Sequence, residues 1–98
     1  MGSTCSSTKK MERILKKVEK SNSKLYEEFI KHQEEILKEP SIGSPLKGDL
    51  KDLRSLDFKF QQVSLRICYQ YFEGDNHIIF VYFGTRENFY KDVKRYLH

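Results

Sequence analysis

The chain has 98 residues and a net charge of +4, and 38% of its residues are hydrophobic, with six tyrosines and seven phenylalanines in the sequence. This length predicts one domain over residues 1–98, and the aromatic content excludes a disordered chain. The mild positive charge is compatible with an ordinary basic protein and equally with a partner rich in phosphate groups.

The first part of the chain predicts two amphipathic helices. Ser6 or Ser7 is a plausible N-cap for the first helix, and the segment before Thr8 contains no convincing strand. The second helix is predicted over residues 24–38, ending ahead of Pro40, which cannot continue it. Apolar residues of the first helix recur at helical spacing, at Met11, Ile14, Leu15 and Val18.

The second part of the chain changes to a period of two, which is typical of strands. Strands are predicted over residues 56–60, 65–72 and 77–83, with a turn at 73–76 and a final helix over residues 87–97. Residues 77–83 are almost continuously apolar, which predicts an interior strand. The expected fold class is α+β: a small antiparallel sheet of three or four strands packed against two N-terminal helices and a short C-terminal helix.

Several classes of function find no support in the sequence. The longest apolar run, residues 78–83, is far shorter than the roughly 20 residues that span a bilayer as a helix. The sequence has no nucleophile motif and no glycine-rich phosphate loop, and its two cysteines lack zinc-site spacing. The histidines His32, His77 and His98 are expected to be surface or internally satisfied residues. We therefore expect a cytoplasmic protein with no metal, no other cofactor and no membrane partner.

Positive side chains on the predicted strands are the remaining candidates for chemistry. Lys59 lies between two phenylalanines that are expected to face inward, and Arg66 alternates with apolar residues of the next strand. Arg86 follows the third strand, and Tyr90 comes one helical turn later. If these faces coincide, three cations meet on one side of the sheet. The alternative is an ordinary solvent-facing surface, on which lysine and arginine are common.

A cluster of this kind suits metal-independent cleavage of RNA, in which a 2′-hydroxyl attacks the neighbouring phosphate. The reaction needs a group that accepts the hydroxyl proton, cations that stabilise charge on the phosphate and a group that protonates the leaving oxygen. Arginine meets the second need, because its guanidinium stays charged and binds phosphate oxygens through two donors. Tyrosine can stack on a base or transfer a proton.

Three short motifs follow one another along the chain: residues 43–50 (GSPLKGDL), 64–71 (SLRICYQY) and 84–90 (GTRENFY). Together, and with two helices ahead of them, they resemble the RelE/ParE superfamily of toxins from type II toxin–antitoxin systems. The resemblance extends over roughly residues 10–97. It implies a small antiparallel sheet with helices packed against it, in agreement with the fold class predicted from periodicity.

The resemblance also implies roles for individual residues. Arg66 and Arg86 match arginines that stabilise phosphate charge, and Lys59 matches a strand lysine of proton transfer or charge stabilisation. Tyr90 roughly matches a tyrosine that stacks on the substrate, with a different spacing. The further candidate RNA contacts are Lys47, Arg54 and Phe89.

This sequence departs from the family pattern at three places. Asp57 stands where RelE has a second strand lysine, so this carboxylate is a candidate base or a sign of a different activity. Leu65 replaces the usual tyrosine before the arginine. The family normally opens with a strand, and the sequence before Thr8 contains no convincing one, so this strand is either short and polar or missing from the chain.

Three functions follow from the resemblance. The first is a ribosome-dependent mRNA endoribonuclease that inhibits translation, the second is a ParE-type non-hydrolytic inhibitor of DNA gyrase, and the third is a catalytically silent module that binds nucleic acid or an antitoxin. Expected partners are a cognate antitoxin, the ribosome and mRNA. An acidic antitoxin segment would suit the basic residues between positions 9 and 20.

Overall fold

A computed structural model describes residues 3–89 and residue 91. Two helices and five strands follow one another along this part of the chain, and residues 86–89 and 91 are again helical. Short 3₁₀ turns lie at residues 40–42, 48–50 and 73–75. The elements are β1 (Thr4–Ser7), α1 (Lys9–Ser21), α2 (Ser23–Lys38), β2 (Ser44–Pro45), β3 (Arg54–Phe60), β4 (Val63–Phe72) and β5 (His77–Thr85).

The five strands form one sheet in the order β1-β5-β4-β3-β2. All neighbouring strands are antiparallel except β1 and β5, which pair in parallel. The predicted α+β class is confirmed, as is the interior position of β5. The sheet has five strands rather than three or four. The two additional edge strands, of four and two residues, are too short and polar to show an alternating apolar pattern.

Of the two alternatives for the start of the chain, a short polar strand or a missing one, the structure shows the first, because residues 4–7 form β1. The side chain of His77 ties this strand to β5: Nδ1 lies 2.7 Å from the Thr4 hydroxyl and Nε2 lies 3.0 Å from the Ser6 hydroxyl. Backbone pairing and these contacts hold a strand that has almost no apolar side chains. The N-cap of α1 is Thr8 rather than Ser6 or Ser7, since β1 occupies both serines.

A single residue, Asn22, separates the two helices. Its backbone N–H donates to the carbonyl of Val18 at the end of α1, and its side-chain oxygen accepts from the N–H of Leu25 at the start of α2. Because one residue caps both ends, the connection is short and the two helices pack against each other and on the same side of the sheet.

An aromatic core lies between the helices and the sheet. Phe29 of α2 is fully buried and packs on Phe83 and Phe80 of β5, at ring-centroid distances of 4.9 Å and 6.3 Å. His32 stacks on Phe58 of β3 with 4.1 Å between the ring centroids, so its ring is part of the packing between α2 and the sheet. Both helices therefore pack on one face of the sheet, and the opposite face makes separate contacts.

A β-bulge explains why β5 is apolar on both faces. Cys68 of β4 pairs with Tyr82 and Tyr69 pairs with Phe80, so Val81 is an extra residue in β5. The bulge lets Phe80 and Phe83 face the helices although they are three residues apart. Tyr82 and Val81 join a smaller apolar cluster on the opposite face, with Leu50, Leu53, Cys68 and Phe89.

The hydroxyl of Tyr69 fastens the loop before β2 to the sheet. This fully buried side chain donates to the carbonyl of Pro40 at 2.6 Å and accepts from the N–H of Gly43 at 2.9 Å. A Cβ atom at Gly43 would lie 2.5 Å from the same hydroxyl, so only glycine allows this approach. Burial raises the pKa of Tyr69, and the bond to Gly43 and the charge of Arg54 partly offset that rise.

We expect Tyr69→Phe to destabilise the fold by about 1–3 kcal/mol, because the buried Gly43 N–H and the partly buried Pro40 carbonyl lose their partner. Urea unfolding followed by circular dichroism measures this change. The matched control is Tyr71→Phe, whose hydroxyl lies 3.5 Å from Asn76 at the surface and contributes little. Equal stability of the two variants would contradict the role given to Tyr69.

No helix in residues 3–89 is both long enough and apolar enough to cross a membrane.

Candidate functional site

Three of the predicted site residues share the face of the sheet opposite α1 and α2. In the β3–β4 register Asp57 pairs with Arg66, and Lys59 pairs with Ser64. Strand alternation places all four side chains opposite the helix-facing residues of the same strands. Lys59 and Arg66 are therefore diagonal neighbours on one face, as the sequence predicted.

Arg66 forms a bidentate ion pair with Asp57. Nε donates to one carboxylate oxygen at 2.7 Å, and Nη2 donates to the other at 2.9 Å. The guanidinium carbon also lies 4.6 Å from the ring centroid of Phe89, in the range of a cation–π contact. Phe89 is itself fully buried and packs edge-on against Tyr82 at 5.6 Å. The arginine is thus held from two sides, by a carboxylate and by an aromatic ring.

The two partners of this pair differ strongly in exposure. The side chain of Arg66 is 8% exposed, whereas that of Asp57 is 40% exposed. A buried arginine needs a counter-charge, because an isolated guanidinium in an apolar setting is costly. Asp57 supplies that counter-charge from the solvent side.

A groove of ≈ 550 Å³ opens beside the ion pair, between β2 and β3. We call it the Arg66 groove; the lining residues that matter here are Ser44, Lys47, Ser55, Asp57 and Arg66. Lys47 is exposed and precedes the 3₁₀ turn at residues 48–50. The groove thus brings a second cation, Lys47, to the space beside Arg66.

Arg86 lies at a neighbouring groove. This space, ≈ 540 Å³, is the Arg86 groove, and its lining includes Ser64 of β4 and Thr85 at the end of β5. Ser64 is also the cross-strand partner of Lys59. Lys59 and Arg86 therefore both lie near Ser64 of β4, although Arg86 itself begins the helical segment after β5.

Two predicted RNA contacts do not join this group. Arg54 pairs with Tyr69 in the β3–β4 register, on the helix side of the sheet, and its Nη2 donates to the carbonyl of Ser41 at 3.4 Å. Phe89 is buried beneath Arg66, where it positions the guanidinium and has no exposed ring to offer a base. Tyr90, the predicted stacking residue, lies outside the described residues.

The Asp57–Arg66 pairing is the feature that sequence reasoning missed. Gln61 and Gln62 form a two-residue hairpin turn with φ of 49° and 68°. Such a turn fixes the register, since positions equally far from it face each other across the two strands. Glutamine is unusual in this left-handed conformation, which asparagine and glycine adopt more readily. The sequence therefore lacks the Asn-Gly signal that would have predicted this turn and the β3–β4 register.

The part of the chain that the structure describes contains no cluster of side chains suited to bind a metal ion. Among residues 3–89 and 91, no group of three or more His, Cys, Asp or Glu side chains is arranged to hold a metal ion. Charge at the site comes instead from lysine, arginine and one aspartate.

Comparison with known protein families gives a match over most of the chain. The family of ParE-like toxins of type II bacterial toxin–antitoxin systems matches residues 5–94. The chain belongs to this family. No curated protein matches the toxin in sequence.

Solved structures of RelE toxins share the fold of this toxin. The RelBE toxin–antitoxin complex of Mycobacterium tuberculosis aligns with a TM-score of 0.73 and 17% identity, over 88% of this chain and 100% of that chain. A mutant of the Escherichia coli toxin RelE in the free state gives 0.70 and 18%, over 97% and 98%. A conserved hypothetical protein of Helicobacter pylori gives 0.56 and 26%, over 88% and 97%. Identities of 17% and 18% support a common fold and leave the chemistry to the side chains of this toxin.

Cys68, which lies under the site, is expected to resist alkylation. Burial raises the pKa of its thiol to about 12, and the charge of Arg66 offsets only part of that rise. The thiolate is the reactive form, so at neutral pH iodoacetamide should modify exposed Cys5 and leave Cys68 intact. Mass spectrometry after tryptic digestion locates the label. In Cys5→Ser no label should appear until denaturant is added, and rapid labelling of the native variant would contradict the burial of this face.

Proposed function

We propose that the toxin is a ribosome-dependent mRNA endoribonuclease whose site lies on β3 and β4, on the face of the sheet opposite α1 and α2. The observation that carries the proposal is the placement of Lys59 and Arg66 as diagonal neighbours on this face, with Arg86 beside the cross-strand partner of Lys59. One domain, residues 1–98, supplies the whole site in this proposal, and the toxin works in the cytoplasm, where ribosomes carry mRNA.

The reaction would follow the chemistry of RNA itself. A 2′-hydroxyl loses its proton, its oxygen attacks the adjacent phosphorus, and the bond from phosphorus to the 5′-oxygen breaks. The leaving oxygen takes a proton, which gives a 2′,3′-cyclic phosphate and a 5′-hydroxyl. Arginines stabilise the charge that builds on the phosphate oxygens, an effect worth roughly 10²–10³ in rate for one well-placed donor. Arg66 and Arg86 take this role.

Proton transfer falls to Lys59 and Tyr90. Both carboxylate oxygens of Asp57 already accept hydrogen bonds from Arg66, which leaves this carboxylate less available as a base. Lys59 is exposed, and it lies two residues from Asp57 on the same face of β3. Tyr90 is the second proton-transfer or base-stacking candidate, and Lys47 supplies a phosphate contact from the Arg66 groove.

The proposed partners are mRNA, the ribosome and a cognate antitoxin. Two of the structural relatives are RelBE toxin–antitoxin complexes. A basic groove of ≈ 450 Å³ on α1, lined by Lys9, Lys10, Arg13, Ile14 and Lys17, offers an acidic antitoxin segment several cations around one apolar side chain.

A second candidate is a ParE-type inhibitor of DNA gyrase that cuts nothing. The ion pair favours it, because Asp57 neutralises the arginine on which phosphate chemistry depends. The family description, which names ParE-like toxins, points in the same direction.

The two candidates are separated by expressing the toxin in bacteria and following labelled methionine and thymidine incorporation. We expect methionine incorporation to stop first, and Arg66→Ala to remove the effect because the phosphate loses its main donor. Lys38→Ala, which removes an exposed charge at the end of α2, is the control and should stay toxic. If thymidine incorporation stops first, gyrase inhibition replaces the proposal, and if Arg66→Ala stays toxic, the assignment of Arg66 is wrong.

A further inference from the structure

We propose that Asp57 competes with the RNA phosphate for Arg66, so that the resting toxin blocks its own phosphate site and substrate binds only by displacing a carboxylate. The inference rests on the proposed function to the extent that both require Arg66 to meet a phosphate. It goes further in assigning Asp57 an inhibitory role in place of a catalytic one.

The geometry of the ion pair is that of an arginine bound to an oxyanion. Nε and Nη2 of Arg66 each donate to a different oxygen of Asp57, at 2.7 Å and 2.9 Å. A phosphate presents the same pair of oxygens to a guanidinium, and arginine binds both anions through two parallel donors. The carboxylate of Asp57 therefore occupies the Nε–Nη2 edge of Arg66, one of the two edges through which a guanidinium binds a phosphate.

The carboxylate is the partner that can leave. Arg66 is fixed, since its side chain is 8% exposed and lies on the ring of Phe89 at 4.6 Å. Asp57 is 40% exposed on β3, and its short side chain reaches solvent by rotation about one bond. An incoming anion therefore finds the arginine already oriented, and the exposed carboxylate is the group it displaces.

The surroundings provide room and charge for the exchange. The Arg66 groove adjoins the pair, with Lys47 in its lining as a second cation for the phosphate. Lys59 lies two residues from Asp57 on the same face of β3, where a displaced carboxylate meets a positive charge. The exchange thus replaces the Asp57–Arg66 pair with two others, phosphate with Arg66 and Asp57 with Lys59. The buried guanidinium keeps a counter-charge throughout.

An exchange of this kind lowers affinity for any RNA that is not held in place. A free strand must offset the loss of the Asp57–Arg66 pair, whereas mRNA positioned by another body presents its phosphate at high effective concentration. A requirement for prior positioning of the RNA follows directly from this internal competition.

The test measures binding without cleavage. A fluorescent RNA oligonucleotide in which every 2′-hydroxyl is methylated cannot be cut by 2′-oxygen attack, and fluorescence anisotropy reports its affinity. We expect Asp57→Asn to bind roughly ten-fold more tightly than the wild type, because about one charge-assisted interaction no longer competes. The control Asp52→Asn removes an exposed carboxylate before β3 and should change affinity only slightly.

A double-mutant cycle ties the gain to Arg66. In an Arg66→Met background, which keeps an apolar side chain over Phe89, Asp57→Asn should give no gain beyond that of Asp52→Asn. The inference is overturned if Asp57→Asn and Asp52→Asn have equal effects, or if the gain persists without Arg66.

A second measurement needs no variant and covers the case in which Asp57→Asn does not fold. In wild-type toxin labelled with ¹³C and ¹⁵N, adding the methylated oligonucleotide should shift the Arg66 Nε–H signal and the Asp57 carboxyl carbon together. Saturating RNA that leaves both signals in place overturns the inference. Because no cleavage is involved, a toxin that binds in this way and yet cuts no RNA would refute the proposed function alone.

Discussion

The bidentate ion pair between Arg66 and Asp57 is the constraint around which the face of the sheet opposite α1 and α2 is built. An arginine with 8% of its side chain exposed is tolerated only next to a counter-charge and a surface that accommodates its planar group. Asp57 supplies the first and the ring of Phe89 supplies the second. The helical segment that begins at residue 86 is packed onto β4 and β5 through that same ring.

The two faces of the sheet have different roles, stability on the helix side and the charged site on the other side. The helix side carries the larger aromatic core and the Tyr69 hydroxyl, which fixes the loop that leads to β2. That loop in turn forms one wall of the Arg66 groove. The bulge at Val81 makes this division possible, because it lets β5 present aromatic residues to both sides within four positions. Stability on one side therefore sets the geometry of the charged site on the other.

Apolar periodicity predicted the elements that bury apolar side chains. It failed for elements that are held by backbone hydrogen bonds to a neighbouring strand. The α+β class, both helices and the three long strands followed from apolar spacing. β1 was missed because Thr4 and Ser6 are held by backbone pairing and His77, which leave no hydrophobic pattern. The common face of Lys59 and Arg66 was predictable from alternation, whereas the partner of Arg66 depended on a register set by a Gln61–Gln62 turn without a sequence signature. Phe89 looked like a possible RNA contact because burial by a distant strand is invisible in sequence.

The family assignment leaves a choice between two kinds of toxin, and the side chains bear on it in opposite directions. The adjoining positions of Lys59, Arg66 and Arg86 suit phosphate chemistry, while Asp57 ties up the central arginine at rest. Internal competition reconciles these features, since Asp57 neutralises Arg66 until a positioned RNA phosphate displaces the carboxylate. The most direct measurement is the end chemistry of mRNA recovered from ribosomes incubated with pure toxin in the presence of a metal chelator that the ribosomes tolerate. The account predicts new fragments ending in a 2′,3′-cyclic phosphate and beginning with a 5′-hydroxyl, absent with Arg66→Ala. Intact mRNA, or fragments with a 5′-phosphate, would contradict it.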